Sequence, residues 1–193
     1  MLRILIVYGT TDGHTGKIAD ALATTFRHRG ATADVVRATR GMDDVDTESY
    51  AAVVVAASVR AGHYQSAVSD WVRTNADLLN DRPTAFVSVC LGVLQHEAKV
   101  DADIAAMMDR FFEVTHWRPT VRKVVAGALL YTHYSWLTRW IMRRISAKAH
   151  GDTDTSRDYE YTDWKDLEAF AEIFYDQHVA PVAKWWRIPT PAA

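Results

Sequence analysis

Apolar positions fall along the chain in two alternating rhythms. Residues 2–8 form a short β-branched run, the pattern of a parallel strand buried on both faces. A Thr- and Gly-containing loop follows, and Ile18, Leu22 and Phe26 then recur at helical spacing until Gly30 stops the helix. Residues 33–37 predict a second strand, and residues 51–57 (AAVVVAA) a third. The acidic, irregular stretch 42–50 between them has room for only a short helix. After a loop at 58–64, Val68, Trp71, Val72 and Leu79 mark a helix that closes before Pro83. Residues 85–89 predict a fourth strand and 123–129 a fifth. The stripe Ile104, Met107, Met108, Phe111 and Phe112 lies between these two strands, and Leu167, Phe170, Ala171 and Phe174 form the last helix.

Strands alternating with helices predict an α/β doubly wound fold, with right-handed crossovers placing helices on both faces. One domain is expected over residues 1–178, followed by a tail, 179–193, which from Pro181 carries three prolines and is expected to be loose. One connection breaks the rhythm. Residues 130–161 separate the fifth strand from the last helix, where connections of ~2–6 residues are usual. This insert is not polar filler, because it contains Trp136, Trp140, Ile141 and Ile145.

Composition adds limits. The chain of 193 residues is 49% hydrophobic and 24% charged, which reads as globular. The single cysteine, Cys90, excludes an internal disulfide and a multi-cysteine metal site, so a reducing cytoplasm is the expected compartment. No run approaches the ~20 apolar residues of a spanning helix. Net charge is −2 but uneven: residues 114–151 contain seven of the 22 basic residues and no acid. Such a one-sided segment suggests an anionic partner, and nucleic acid is not favoured because the rest of the chain is acidic.

In an open parallel sheet, ligands bind beyond the carboxyl ends of the strands. Three loops qualify. The first, Thr10-Thr11-Asp12-Gly13-His14-Thr15, follows a strand and opens a helix. Helix-terminal N–H groups and the hydroxyls of Thr10, Thr11 and Thr15 suit a phosphate, without any cation in the loop. A nucleoside triphosphate loop would need Gly-Lys-Ser/Thr, and a dinucleotide loop three spaced glycines. A phosphate monoester is therefore the better match, against the alternative of a plain strand-to-helix turn. The second loop is Ser58-Val59-Arg60-Ala61-Gly62-His63-Tyr64. Gly62 permits close approach of backbone to ligand, and Tyr64, or less readily His63, offers a ring to stack on a flat group or to pack at its own helix start. The third loop, Ser88-Val89-Cys90-Leu91-Gly92, offers peptide groups to a ring edge. Cys90 reads as a small buried residue rather than a redox thiol.

Together the three loops resemble those of the flavodoxins. The wider set, Thr10-x-Asp12-Gly13-x-Thr15, Ala57-Ser58-Val59-Arg60-x-Gly62-His63-Tyr64, Trp117-Arg118-Pro119, Ala126-Gly127-Ala128-Leu129, Gly151-x-Thr153-Asp154-Thr155 and Tyr161-Thr162-Asp163-Trp164, resembles the menaquinone-dependent protoporphyrinogen IX dehydrogenase family. The likeness runs in order over nearly the whole chain, while the third loop and the tail Trp185-Trp186-Arg187 depart from the pattern. It implies a flavodoxin-like three-layer fold with strand order 2-1-3-4-5, an FMN cofactor held by the three loops with Asp152, Thr153 and Asp154, and oxidation of protoporphyrinogen IX by menaquinone or ubiquinone in haem biosynthesis. It also implies a long insert before the last helix.

Read as a helix, residues 134–149 (YSWLTRWIMRRISAKA) gather Trp136, Leu137, Trp140, Ile141 and Ile145 on one face, with Arg139, Arg143 and Lys148 elsewhere and Arg144 at the border. Such a helix suits an anionic membrane surface, where a lipid quinone resides. The same cations suit porphyrinogen propionates, with the tryptophans lining an apolar site. A homo-oligomer interface and an ordinary surface helix remain alternatives. No acid/base pair stands out in the loops, no histidine has a metal-ligand partner at suitable spacing, and no catalytic residue is assigned. A flavodoxin-like FMN electron carrier and a general quinone reductase are the competing functions, although carriers tend to be acidic and to lack a basic insert.

Overall fold

The computed structural model describes residues 1–42, 45–129, 154–184 and 186. Five parallel strands form one sheet: β1 (Arg3–Gly9), β2 (Thr32–Arg37), β3 (Ala52–Ser58), β4 (Thr84–Val89) and β5 (Val121–Val125). Their order is β2-β1-β3-β4-β5, as the family resemblance implies. Register is continuous through the centre, with Ile4 opposite both Ala33 of β2 and Ala52 of β3.

Alternation along the strands divides the core in two. Ile4 and Ile6 face helices α1 (His14–His28) and α5 (Trp164–Phe174), meeting Ile18, Leu22, Phe26, Leu167 and Phe174. Leu5 and Val7 face helices α2 (Ser66–Thr74) and α4 (Ala98–Thr115), meeting Val68, Trp71, Ile104, Met108 and Trp117. Ile4, Leu5, Ile6 and Val7 are all fully buried, as are Val53, Val54 and Val55 of β3. The continuous apolar runs in the sequence arise from burial on both faces.

Two elements depart from the sequence expectation. The helix from Val68 to Leu79 is broken at Asn75, which ends α2 and begins a short α3 (Ala76–Asn80). The Asn75 side chain donates to the Trp71 carbonyl at 2.8 Å, beside the Asn75 backbone N–H that donates to the same oxygen at 3.1 Å. The fifth strand starts earlier than residue 123 and stops at Val125. Ala126 and Gly127 then leave the sheet, and β6 (Ala128–Leu129) pairs antiparallel with β7 (Tyr159–Glu160). One apolar run thus serves two sheets, which periodicity alone does not reveal. The short helix anticipated in 42–50 is a 3₁₀ turn, Thr47–Ser49.

The β6–β7 pair closes the neck of the insert, bringing residues 129 and 159 side by side. Residues 130–153 lie outside the described residues. They include Trp136, Arg139, Trp140, Arg143, Arg144 and Lys148 of the basic segment, and Asp152 and Thr153. Beyond the neck, Asp163 caps α5 by accepting from the N–H groups of Lys165 and Asp166 at 3.1 and 3.0 Å. The chain continues after Phe174 through a π turn and a 3₁₀ turn that bury Val179 and Val182, so the start of the tail is packed rather than loose. No helix among the described residues is long and apolar enough to cross a membrane.

Candidate functional site

The connection after β1 crosses to one face of the sheet and the connection after β3 to the other. The strand order therefore switches direction between β1 and β3, the place where an open parallel sheet takes ligands beyond its carboxyl ends. The predicted loops follow β1, β3 and β4 at that edge. In the first, Gly13 adopts φ 93°, a left-handed conformation that places it as the N-cap of α1. Its N–H donates to Thr10 Oγ1 at 2.9 Å, and its carbonyl accepts from Gly16 N at 3.0 Å. Thr10 is half-buried and Thr11 exposed, while Thr15 is 1% exposed. The Thr15 hydroxyl is buried without any hydrogen-bond partner. Just before the loop, Gly9 leaves no room for a side chain: a Cβ there would lie 2.3 Å from Val68 Cγ2 and 2.8 Å from Gln65 Oε1.

His14 is turned inward and 6% exposed. Its Nε2 lies 2.7 Å from Thr162 Oγ1, and the Thr162 hydroxyl donates to the Ala126 carbonyl at 2.7 Å. Because the hydroxyl proton is engaged at Ala126, Nε2 is the donor to Thr162. The opposite ring nitrogen, Nδ1, is buried, has no hydrogen-bond partner, and lies 3.5 Å from Glu160 Oε2. Glu160 is itself held by Lys17 Nζ at 3.1 Å and by Trp164 Nε1 at 3.0 Å. Burial lowers the pKa of His14 below its ordinary value of 6.5, Glu160 opposing and Lys17 assisting, so the ring is neutral at pH 7.

The second loop is a tight hairpin. Arg60 and His63 exchange both backbone hydrogen bonds, at 2.9 and 3.1 Å, around Ala61 (φ 49°) and Gly62 (φ 77°). Two successive positive φ angles match a type I′ turn, in which Ala61 is the strained member. Ser58 Oγ accepts from Gln65 Nε2 at 2.8 Å, and Val59 N donates to the Val89 carbonyl at 2.9 Å, tying this loop to the third. The Tyr64 hydroxyl lies 2.8 Å from Ser88 Oγ, and its ring meets Phe86 and Phe111 edge-on with centroids 5.1 and 5.0 Å away. Stacking on a flat ligand would require Tyr64 to leave these contacts.

In the third loop, Ser88 and Val89 end β4, and Leu91 and Gly92 begin a 3₁₀ turn, Leu91–Gln95. Cys90 Sγ accepts from Gly92 N at 3.3 Å, and burial raises the pKa of the thiol, so it remains protonated. Asp154 precedes β7 in the chain, and its carboxylate accepts from the N–H and hydroxyl of Ser156 at 3.0 and 2.7 Å.

Four contributors were not selected from the sequence. Arg37 reaches from the end of β2 to the Thr10 carbonyl at 3.4 Å and places a cation beside a loop that contains none. Gln65 bridges Ser58 and Thr11, at 2.8 and 3.4 Å, and its Oε1 is buried without a partner. Thr162 and Glu160 meet His14 from 148 and 146 residues away, beyond the reach of local motif spacing. Among the described residues, no group of three or more His, Cys, Asp or Glu side chains forms a metal site.

Residues 5–156 match the flavodoxin domain model. Solved flavodoxins superpose over most of the chain. The oxidised Flavodoxin 1 of Bacillus cereus gives a TM-score of 0.54 at 13% identity, covering 90% of this chain and 97% of that one. A flavodoxin of Streptococcus pneumonia TIGR4 gives 0.55 at 21% identity, covering 91% and 99%. The chain is thus a member of the flavodoxin-domain proteins, as fold and loops indicate. Among curated proteins, the protoporphyrinogen IX dehydrogenase (quinone) of Escherichia coli (strain K12) is 37% identical over 170 residues, 88% of this chain and 93% of that protein. Its namesake in Leishmania major is 32% identical over 173 residues, 89% of this chain and 74% of that protein. Within the flavodoxin-domain proteins, the chain belongs to the quinone-linked protoporphyrinogen IX dehydrogenase family.

Proposed function

We propose that this protein is an FMN-dependent oxidoreductase that oxidises protoporphyrinogen IX to protoporphyrin IX and passes the electrons to a membrane quinone, in haem biosynthesis. The observation that carries this reading is identity of 37% sustained over 88% of the chain to a relative of that name. The residues of the first loop fit the cofactor. The buried Thr15 hydroxyl lacks a protein partner, and it stands in the first turn of α1 beside free helix N–H groups that suit a phosphate monoester.

In this reading Thr10, Thr11 and Thr15 hold the phosphate, and Arg37 adds positive charge from outside the loop. Gly62 lets backbone approach the ring, and the peptide groups from Ser58 to Val59 and from Val89 to Gly92 border its edge. The family resemblance adds Asp152, Thr153 and Asp154 as further cofactor contacts. When bound, the flavin supplies the two-electron acceptor that the chain's own side chains lack. The chain contributes orientation, water exclusion and charge. Arg139, Arg143, Arg144 and Lys148 pair with the propionates of the macrocycle or with anionic lipid, and Trp136 and Trp140 supply apolar surface. Peripheral contact with the inner membrane brings the site to its quinone.

The test is anaerobic conversion of protoporphyrinogen IX to fluorescent porphyrin by FMN-loaded protein, with menaquinone and ubiquinone compared as acceptors. Conversion that requires quinone supports the reading. FMN binding without conversion would replace it with the electron-carrier function.

A further inference from the structure

We infer that His14 is a proton-coupled positioning residue: it takes up a proton at Nδ1 when the first loop takes up the phosphate of FMN, and so locks that loop to the neck of the insert through Glu160. This rests on the cofactor reading above and adds a named residue and a proton to it. The geometry carries it. Nε2–H is committed to Thr162, whose own proton is committed to Ala126. Neutral His14 therefore presents a bare lone pair at Nδ1 to a carboxylate oxygen 3.5 Å away, with no hydrogen between them and no other partner for Nδ1. One proton turns this repulsive pair into a charge-assisted hydrogen bond.

What withholds the proton in the free protein is burial, since the ring is 6% exposed. What supplies the missing stabilisation is the ligand. A phosphate monoester brings about −1.5 to −2 charges at pH 7 to the first turn of α1, next to His14. Among the described residues, the charged and polar groups around the ring are few. Lys17 lies on the same helix, Glu160 and Thr162 come from the neck, and the Trp164 ring of α5 meets the imidazole edge-on at 6.0 Å. Asp12 shares the loop. Lys17 disfavours the imidazolium and Glu160 favours it, leaving the phosphate as the added charge that decides.

A merely structural histidine would hold Thr162 equally well in either state and would bind no proton with the ligand. Calorimetric titration of apoprotein with FMN near pH 7, in buffers of different ionisation enthalpy, measures proton uptake directly. Wild type is expected to take up a substantial fraction of a proton with FMN and none with riboflavin, which has no phosphate. His14→Gln retains an N–H for Thr162 and is expected to bind FMN without that uptake. Glu160→Gln should reduce the uptake while leaving His14 in place. Relative to His14→Gln, wild-type affinity should tighten as pH falls, by at most about tenfold per pH unit. Equal uptake in wild type and His14→Gln would overturn the role of His14 while leaving FMN binding intact. If neither protein binds FMN, the cofactor reading fails, and this inference fails with it.

Discussion

The two faces of the sheet bury their apolar residues equally well but treat polar atoms differently. On the α2–α4 face, Phe86, Phe111, Phe112 and Trp117 form one aromatic cluster, with ring centroids 5.1–6.4 Å apart. Its polar atoms are paired: Trp117 Nε1 donates to Thr84 Oγ1 at 3.2 Å, and Tyr64 meets Ser88 at 2.8 Å. The α1–α5 face is mainly aliphatic, and at its carboxyl end it leaves His14 Nδ1 and Thr15 Oγ1 without partners. At the same edge the α2 side shares this feature at one atom, Oε1 of Gln65, the N-cap of α2, which is also buried without a partner. Arg82 Nε is the exception, on a guanidinium that otherwise donates to the Thr47 and Tyr50 carbonyls at the opposite edge. A buried polar atom left unpaired costs about 1–3 kcal/mol. Such atoms collect beside a helix N-terminus and a glycine turn, where the phosphate of the proposed cofactor would give them partners.

That contrast is open to direct attack. The largest effect is expected on the aromatic face. Trp117 is fully buried, and Trp117→Ala should cost about 3–5 kcal/mol in urea denaturation. FMN affinity of the folded protein should change little, because Trp117 lies on the loop that enters β5 at the far edge of the sheet. Next comes Gly9→Ala, which drives a methyl group into Val68 and Gln65 where the two faces meet at the site. It should cost about 1–3 kcal/mol by overpacking. Unlike Trp117→Ala, it should also weaken FMN binding, since Gln65 bridges two of the loops. Destabilisation with unchanged affinity would show that Gly9 serves packing alone.

A matched pair of threonines gives the sharper test. Thr84→Val removes the acceptor for Trp117 Nε1 and should cost about 1–3 kcal/mol. Thr15→Val removes a hydroxyl that has no partner, so the apoprotein should hold or gain stability. Its FMN affinity should nevertheless fall by about ten- to a hundredfold, the worth of one hydrogen bond to a charged group. If both variants lose stability alike and Thr15→Val binds FMN normally, the difference between the faces has no functional meaning.

Much of this arrangement was legible in the sequence, and the gaps have physical causes. The strands of the centre are apolar on both faces, so runs such as residues 51–57 announced them directly. The first loop was legible because its hydroxyls, its glycine and the absence of a cation are local features. The inward turn of His14 was not. It depends on Thr162 and Glu160, which pair with it only after β6 and β7 close the neck. Strand β5 misled for a related reason. Residues 123–129 read as one strand, and only Gly127, accepting at its carbonyl from Tyr161 N at 3.1 Å, shows where the chain changes partners. Asn75 ended a helix by a side-chain bond that periodicity does not register.

The smallest predicted effect separates the faces by pH. In the apoprotein, burial holds the His14 pKa below 6.5, against Glu160 and with Lys17. Unfolded chain therefore binds a proton below about pH 6.5 that folded chain refuses, and stability declines as pH falls from there until the folded ring also protonates. Tyr64 behaves in the opposite sense. Burial pushes its phenol above the ordinary value of 10.0, against the hydrogen bond with Ser88, so only the unfolded chain ionises just above that pH. Stability then declines as pH rises. In urea titrations of apoprotein across the pH range, His14→Gln should flatten the decline just below pH 6.5, above the range in which Asp34 and Glu160 titrate, and Tyr64→Phe should lessen the alkaline limb, to which Tyr50 also contributes. The slopes matter rather than the absolute stabilities, because Tyr64→Phe also removes the bond to Ser88. Saturating FMN adds a further separation: if His14 is already protonated in the complex, the ligand should flatten the acid limb of wild type and leave the alkaline limb as it was. An acid limb that survives both His14→Gln and FMN would assign that limb to other groups and leave the two faces alike in their response to pH.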